Sequence, residues 1–411
     1  MLDRAEDAAA AGPTLALLLR LGRALHRYGY PAPHLEAALT RVADRFAIAS
    51  QFFSTPTSLF CAFGPDDRQH TYMLRVEPGE VNLGKLAALQ REIETVQADA
   101  SQAAAAARRV EAIDAAGSPY PPLLVLLAAG LGSGGAALFL GGGLRELLIA
   151  TGIGLALGVL GVAFQRQAAR LRGLLEPVAA ALAAFLAGAG AHWIGPASIY
   201  IATLAGLIVL LPGFTLTVAL TELATRHLVS GTARLMGALT TFLTLGFGVA
   251  VGKGLALALF GASDAAPPWE PLGAVRALAL VVAPLSFCVL LRAAPRDAPW
   301  ILLVSVIAIE GGQLGSDLFG VELGAFVGAL AVGIASDLYA HFLRRPALVT
   351  LVPGILLLVP GSIGFRSVAS LLDKDVVFGV ETGFRMAFVA ISLVAGLLMA
   401  NVVAPRRRPA A

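Results

Sequence analysis

Apolar and polar positions alternate with a helical period at the start of the chain. Leu15, Leu18, Leu19, Gly22 and Leu25 fall on one face of residues 14–28, with Arg20, Arg23 and Arg27 on the other. A second stripe, Leu35, Leu39, Val42 and Phe46, follows Pro33. The spacing then shortens to that of strands over 51–63 and 70–76, joined by the turn-forming Gly64-Pro65-Asp66-Asp67. A further helix is predicted from about Leu83 through an alanine run to Ile113, and Gly117-Ser118-Pro119 closes the unit. Residues 1–119 therefore read as a small soluble α/β domain.

Beyond it the amphipathic pattern disappears. From Ala115 to Leu144 there is no charged residue, which is long enough for a membrane span of about 20 apolar residues. Continuing in this way predicts ten spans, at roughly 121–142, 146–165, 174–192, 197–218, 231–260, 271–291, 299–317, 321–340, 347–367 and 383–403. The fold class expected is a polytopic α-helical membrane protein, with membrane halves 120–265 and 266–411 after the soluble domain. Composition supports this division: residues 1–119 hold 26 of the 57 Lys, Arg, Asp and Glu residues, so the longer remainder is depleted of charge.

The remaining charges suggest an orientation. The loops after the second, fourth, sixth and eighth spans carry Arg166, Arg170 and Arg172, then Arg226, then Arg292 and Arg296, then Arg344 and Arg345. The C-terminal segment adds Arg406, Arg407 and Arg408. The intervening loops carry Arg145, or Arg366 and Lys374 offset by Asp373 and Asp375. Basic loops stay in the cytoplasm, so both termini are expected there. An acidic N-terminus (Asp3, Glu6, Asp7) and an apolar run broken by Arg20 do not read as a signal peptide. Richness in Ala, Gly and Arg suggests a bacterial source, hence the inner (cytoplasmic) membrane.

Two stretches five spans apart repeat one another. Leu211-Pro212-Gly213 is followed by Ser230-Gly231 and Arg234, and Val359-Pro360-Gly361 by Thr382-Gly383 and Arg385. A unit of five spans repeated once enters the membrane from opposite sides, so a 5+5 inverted repeat with broken helices is expected, as in many secondary transporters. Backbone freed by Pro and Gly persists in a bilayer only where protein or water covers it.

At these motifs the chain resembles the threonine/serine exporter family. Residues 22–64 are similar to the family's N-terminal opening, residues 211–235 to its first-half signature with Glu222 as the acidic position, and residues 349–364, with a doubled Pro-Gly, to its second-half signature. The resemblance runs over nearly the whole chain. It implies a cytosolic N-terminal domain and export of small amino acids, threonine or serine, driven by the proton gradient. Some relatives are linked to dicarboxylate export, so dicarboxylates are the alternative substrate class.

Charged residues within apolar spans cost about 2.5–3.5 kcal/mol each at a helix centre and so mark candidate sites. Glu310, beside Gly311 and Gly312, is the first candidate proton carrier, with Asp317 two turns on as the next. Arg234 and Arg385, near helix starts, are candidates to hold a substrate carboxylate together, since a guanidinium adds bidentate recognition to the helix N-terminus. Glu222 and Glu381 are their candidate salt-bridge partners, and Pro212, Gly213, Pro360 and Gly361 the candidate gate. Lys253, Glu322 and Asp337 read as interfacial.

Other chemistry is not encoded. His26, His34 and His70 lack metal spacing and read as solvated, and Cys61 and Cys288 form no disulfide framework, so neither metal nor cofactor is expected. Gly84-Lys85 and Gly252-Lys253 lack the P-loop pattern. A net charge of +3 is too small to argue for nucleic acid. A membrane-anchored hydrolase acting through the N-terminal domain is the competing class, but no Gly-x-Ser-x-Gly elbow supports it, and a non-enzymatic carrier is expected. Its partners would be the solute, protons and the lipid bilayer; the pattern is also compatible with a homo-oligomer.

Overall fold

A computed structural model describes residues 12–65, 67–77, 79–165, 173–261 and 273–403. Arg166, Arg170, Arg172, Arg406, Arg407 and Arg408, on which part of the orientation argument rests, lie outside these residues, as do Asp66 and the boundary near 265.

The N-terminal domain comprises α1 (Pro13–Arg27), α2 (Ala32–Arg45), β1 (Ser50–Thr55), β2 (Ser58–Phe63), β3 (His70–Arg75), α3 (Leu83–Ala98) and α4 (Ala103–Ala115). The strands form one antiparallel sheet in the order β1-β2-β3. Leu59, Cys61 and Phe63 of β2 alternate inward onto a core that includes Leu18, Leu25, Leu35, Leu39, Leu89 and Ile93. The strand expected over 51–63 is folded back on itself, because Pro56-Thr57 makes a two-residue hairpin that pairs Thr55 with Ser58. The single helix expected from 83 to 113 breaks at Asp99, whose carboxylate accepts the Ser101 N–H at 3.0 Å and starts a new turn.

His26 is not solvated. It is 4% exposed, its Nε2 donates to the Thr55 carbonyl at 2.6 Å, and its Nδ1 is buried without a partner. Burial therefore holds it below the ordinary value of 6.5, against a hydrogen bond to Thr55 that acts the other way; Arg234 and Glu222 are the charges nearest in effect. A histidine that stays neutral in the fold but protonates when unfolded stabilises the fold fully above about 6.5, and that stability is lost as pH falls below it. The midpoint of thermal unfolding of the N-terminal domain, followed in the full chain, should fall between pH 7.5 and 5, and His26→Gln should flatten that dependence. An equal acid response in both proteins would remove His26 from the account.

Eight apolar stretches among the described residues are long enough to cross a membrane, one of them the broken pair over Leu348–Leu372, and the chain is a multi-pass membrane protein. In order the helices are α5 (Pro122–Phe139), α6 (Leu144–Gln165), α7 (Leu175–Trp193), α8 (Ile199–Gly206), α9 (Gly213–Ala224), α10 (Leu228–Phe260), α11 (Gly273–Leu290), α12 (Ala298–Phe319), α13 (Val321–Leu343), α14 (Leu348–Leu358), α15 (Gly361–Leu372) and α16 (Val376–Val403). The expected span 197–218 is the pair α8 and α9, each too short to cross alone. In the span expected at 271–291, the apolar helix identified is Ala277–Leu290, with Pro284 inside it. The expected span 347–367 is α14 and α15, broken at Pro360.

Small residues set the packing. A Cβ on Gly248 of α10 would come within 2.3 Å of the Pro177 carbonyl of α7, and one on Gly396 of α16 within 2.4 Å of the Phe326 carbonyl of α13. Both helix pairs thus approach with backbone nearly touching backbone, as membrane helices do when small residues line the seam. Large apolar side chains such as Leu243, Phe247, Phe384 and Phe388 face outward.

The loops gather at two ends. At one end the N-terminal domain sits on the segments 226–228 and 291–297: His227 Nε2 is 3.2 Å from Glu36 Oε2, and Leu83 N–H donates to the Leu291 carbonyl at 3.0 Å. Segment 344–347 joins that end through an Arg345–Asp297 ion pair. At the other end the buried Glu146 accepts the N–H groups of Gly143 (2.8 Å) and Ser198 (2.6 Å), stapling two loops together, and Lys253 pairs with Asp373 at 2.8 Å. The basic loops that remain within the described residues therefore share one end, as their charge predicted.

Candidate functional site

Proline fixes its own φ and cannot donate a hydrogen bond, and Pro212 and Pro360 each stand at the N-cap of a new helix, Pro360 two residues after α14 ends and Pro212 after a turn that follows α8. They adopt nearly the same backbone, φ −79°, ψ 34° and φ −76°, ψ 25°. The helices that follow, α9 and α15, have no side-chain cap at their N-termini, which leaves first-turn N–H groups free and partial positive charge at each start. The two starts meet: a Cβ on Gly213 would lie 3.3 Å from the Gly361 Cα and 2.2 Å from Val359 Cγ1. Glycine is needed here by that approach.

A cavity of about 540 Å³ opens beside the meeting point. Gly213, Phe214, Gly361 and Ser362 supply its helix starts, α12 supplies Gln313, Ser316 and Asp317, and the rest of the wall is largely apolar. No Lys, Arg or His is among its described lining residues, while one carboxylate is. Phe214 and Leu356 belong both to this wall and to an apolar cluster with Ile301, Tyr339, Val349 and Val352, which closes the end toward the N-terminal domain.

The residues singled out in the sequence divide accordingly. Pro360, Gly361, Gly213 and Asp317 line the cavity, with Pro212 directly before Gly213. Glu310 shares a face of α12 with Asp317, two turns on, and both are exposed, but Glu310 is not among the lining residues. Arg234 and Arg385 are not brought onto one ligand: each is engaged separately. Arg234 Nε is 3.1 Å from the carboxylate of Glu222, which is fully buried and also accepts from Ser230 Oγ at 2.7 Å and from the Ala32 N–H at 3.0 Å. Arg385 Nε pairs at 3.0 Å with Glu322 rather than Glu381, and both side chains are about half exposed.

The matching of Arg234 with Arg385 also fails on register. Gly231 packs on Leu223 and Gly379 on Leu371, and the left-handed residues Arg226 and Lys374 (φ 66° each) close the same turn. Gly379, not Gly383, is thus the counterpart of Gly231, which sets Thr382 opposite Arg234. Gly383 and Arg385 imitate the motif three or four residues too late.

Sequence reasoning missed Gln313, Ser316 and Ser362, which carry no charge and stand out in no pattern. It also missed Glu146 and Asp297, two buried acids each five residues after a left-handed loop residue, Gly141 and Arg292. Asp297 accepts from Tyr339 at 3.1 Å and pairs with Arg345. An acid at the start of a span, following a tight loop, was the available signal.

Comparison with known proteins adds the lineage. A family model described as "Putative threonine/serine exporter" matches residues 16–256, and a second, described as "Threonine/Serine exporter, ThrE", matches residues 276–403. Among curated proteins the chain is similar to the pheromone-regulated membrane protein 10 of Candida albicans (29% identical over 368 residues) and of Debaryomyces hansenii (27% over 369). These alignments cover 85% of this chain and 33% and 36% of the yeast proteins. An uncharacterized protein of Schizosaccharomyces pombe is 24% identical over 433 residues, covering 94% of this chain and 50% of its own. The chain therefore spans about a third to a half of the length of these curated relatives. No solved structure matches it.

Proposed function

Because the chain belongs to the threonine/serine exporter family, we propose that it is a proton-coupled carrier exporting a small zwitterionic amino acid through the cavity between its two broken helices. The observation that carries this reading is the cavity wall: two uncapped helix starts beside one carboxylate, Asp317, with no described cation. Helix starts suit a carboxylate, and Asp317 suits an ammonium group or a proton. A dicarboxylate would bring a second negative charge toward Asp317 with no side-chain cation to offset it. Threonine or serine is the substrate class the family and this wall favour together.

Alternating access is supported by a five-element unit that occurs twice: three helices, a broken helix and a long helix. Left-handed residues stand at matching loops, Gly141 with Arg292, Gly195 with Arg344, and Arg226 with Lys374. An odd number of crossings makes such a repeat inverted, and carriers of this kind rock one half against the other around a central site. On this reading the end carrying the N-terminal domain and the basic loops is cytosolic, in a cytoplasmic membrane. The protein works as a carrier, without a catalytic step.

Counterflow in proteoliposomes tests it. Vesicles loaded with unlabelled threonine should take up labelled threonine or serine transiently, and an imposed pH gradient should sustain the uptake. Succinate should neither exchange nor compete. Succinate exchange in the absence of threonine exchange would replace the amino-acid reading with the dicarboxylate one.

A further inference from the structure

The N-terminal domain touches the membrane part at more than a surface. Its first junction is Glu222, at the C-terminal end of α9. That carboxylate takes the Ala32 N–H at the start of α2, along with Ser230 and Arg234 of α10. Beside it, Glu36 of α2 holds the Ser54 N–H of β1 at 2.7 Å through one oxygen and lies 3.2 Å from His227 through the other. The second junction is α3. Leu83 and Gly84 donate to the carbonyls of Leu291 and Arg292 at 3.0 and 3.1 Å, and Arg292 pairs with Glu80 at 2.6 Å. Leu83 is fully buried against Val349 and Val352 of α14.

These two junctions fall on matching parts of the site. The chain runs along α9 from the cavity toward the N-terminal domain, and along α14 from that domain back to the cavity. Each is one arm of a broken helix, and in each case the arm between the domain and the break. A helix is stiff: the 12 residues of α9 span about 18 Å at 1.5 Å per residue. Displacement at Glu222 is therefore delivered at Gly213 and Phe214. In α14 Pro353 interrupts the helical hydrogen bonds, but Val349 and Val352 share one apolar cluster with Leu356, so displacement there reaches Leu356 through that packing. Phe214 and Leu356 are the residues shared by the cavity wall and the apolar cluster that closes it on this side.

We infer that the N-terminal domain is the latch of the carrier's cytosolic gate, holding the inner arms of both broken helices so that the cavity opens on that side only when the domain shifts. Glu222 is the positioning residue of the first arm. The inference rests on the carrier reading above, and it gives the domain a mechanical role in each transport cycle. Glu222 is fully buried and takes the Ala32 N–H from the domain; a buried charged acceptor is either paired with that donor or must find another, so a junction of this kind suits two discrete positions better than a continuous slide.

The test uses the full chain in lipid. Glu36→Cys with His227→Cys, and separately Glu80→Cys with Arg292→Cys, place thiols that a short cleavable bis-maleimide can join; Cys61 and Cys288 are buried. Joining either pair should lower threonine counterflow at least tenfold, and cleaving the linker should return it to the level of the same variant before joining. A joined carrier that keeps its full rate overturns the latch. Hydrogen exchange gives a readout that does not need transport. The amides of Ala32, Leu83 and Gly84, bonded across the junctions, should exchange at least tenfold faster than those of the central strand β2 in the unjoined protein, and no faster once joined. Equal protection in the unjoined protein would mean the domain does not leave its seat, which also overturns the latch. Absence of counterflow in every unjoined form would sink the carrier reading instead, and the exchange comparison would still decide the latch.

Discussion

Replacing Asp317 with Asn is expected to abolish accumulation of threonine driven by a pH gradient while leaving residual exchange of threonine for threonine. The amide keeps the shape of the side chain and one acceptor oxygen. It cannot release a proton, and it cannot attract an ammonium group by charge. Losing a hydrogen bond to an ionised partner costs about 1.5–3 kcal/mol, so substrate affinity should fall roughly 10- to 150-fold. The carrier would behave as though permanently protonated, and a proton gradient would have nothing to act on. Counterflow and gradient-driven uptake, measured side by side in one preparation, separate the two effects. The companion variant is Glu310→Gln. Because Glu310 lies outside the cavity wall, it should keep gradient-driven uptake. If instead Glu310→Gln loses coupling and Asp317→Asn retains it, the proton route runs through Glu310 and the role assigned to the cavity carboxylate is wrong.

How much of this was legible beforehand follows from which forces leave a local trace. Membrane helices leave a strong one, because about 20 consecutive apolar residues have few other uses. The Pro-Gly breaks were equally plain, since both residues change backbone conformation without help from distant contacts. The span at 197–218 shows the limit. Hydropathy sees one apolar run there, and only the geometry at Leu207–Pro212 divides it into two short helices. In the N-terminal domain the hairpin at Pro56-Thr57 went unread because strand periodicity continues through it.

The site was half legible for a related reason. Charge is conspicuous in an apolar sequence, so Glu222, Arg234, Glu310, Asp317 and Arg385 all stood out, but conspicuousness does not say which way a side chain faces. Glu310 and Asp317 are seven residues apart on one helix, and only the packing of neighbouring elements puts one in the cavity wall. Arg234 and Arg385 looked equivalent because Gly231 and Gly383 both precede an arginine. The contact of Gly379 with Leu371, which fixes the true register, involves no unusual residue. Polar neutral residues such as Gln313 and Ser362 acquire meaning only once the helix starts are seen to converge beside them.

Gly213 is where the largest steric effect should appear. Gly213→Ala would put a methyl group 2.2 Å from Val359 Cγ1 and 3.3 Å from the Gly361 Cα. Val359 is β-branched, with few rotamers to retreat into, and it immediately precedes the second break, so the crowding falls on the backbone joining α14 to α15. Overpacking of this sort costs about 1–3 kcal/mol. If that cost bears on one conformation of the carrier, the rate should fall roughly 5- to 150-fold. Gly361→Ala should be milder, because its nearest contacts would be 3.3 Å from the Gly213 Cα and 3.6 Å from Leu211 Cβ, which small shifts absorb. The decisive measurement is the double variant Gly213→Ala with Val359→Ala. Removing the valine methyl groups clears the clash without touching the proline, the helix starts or Asp317, so counterflow should recover most of what Gly213→Ala lost. Recovery would place the restriction at the contact between the two breaks. Should the double variant be as slow as the single one, with both proteins equally well folded by thermal unfolding in detergent, the glycine would be needed for something other than close approach, and the breaks would not be moving against each other there.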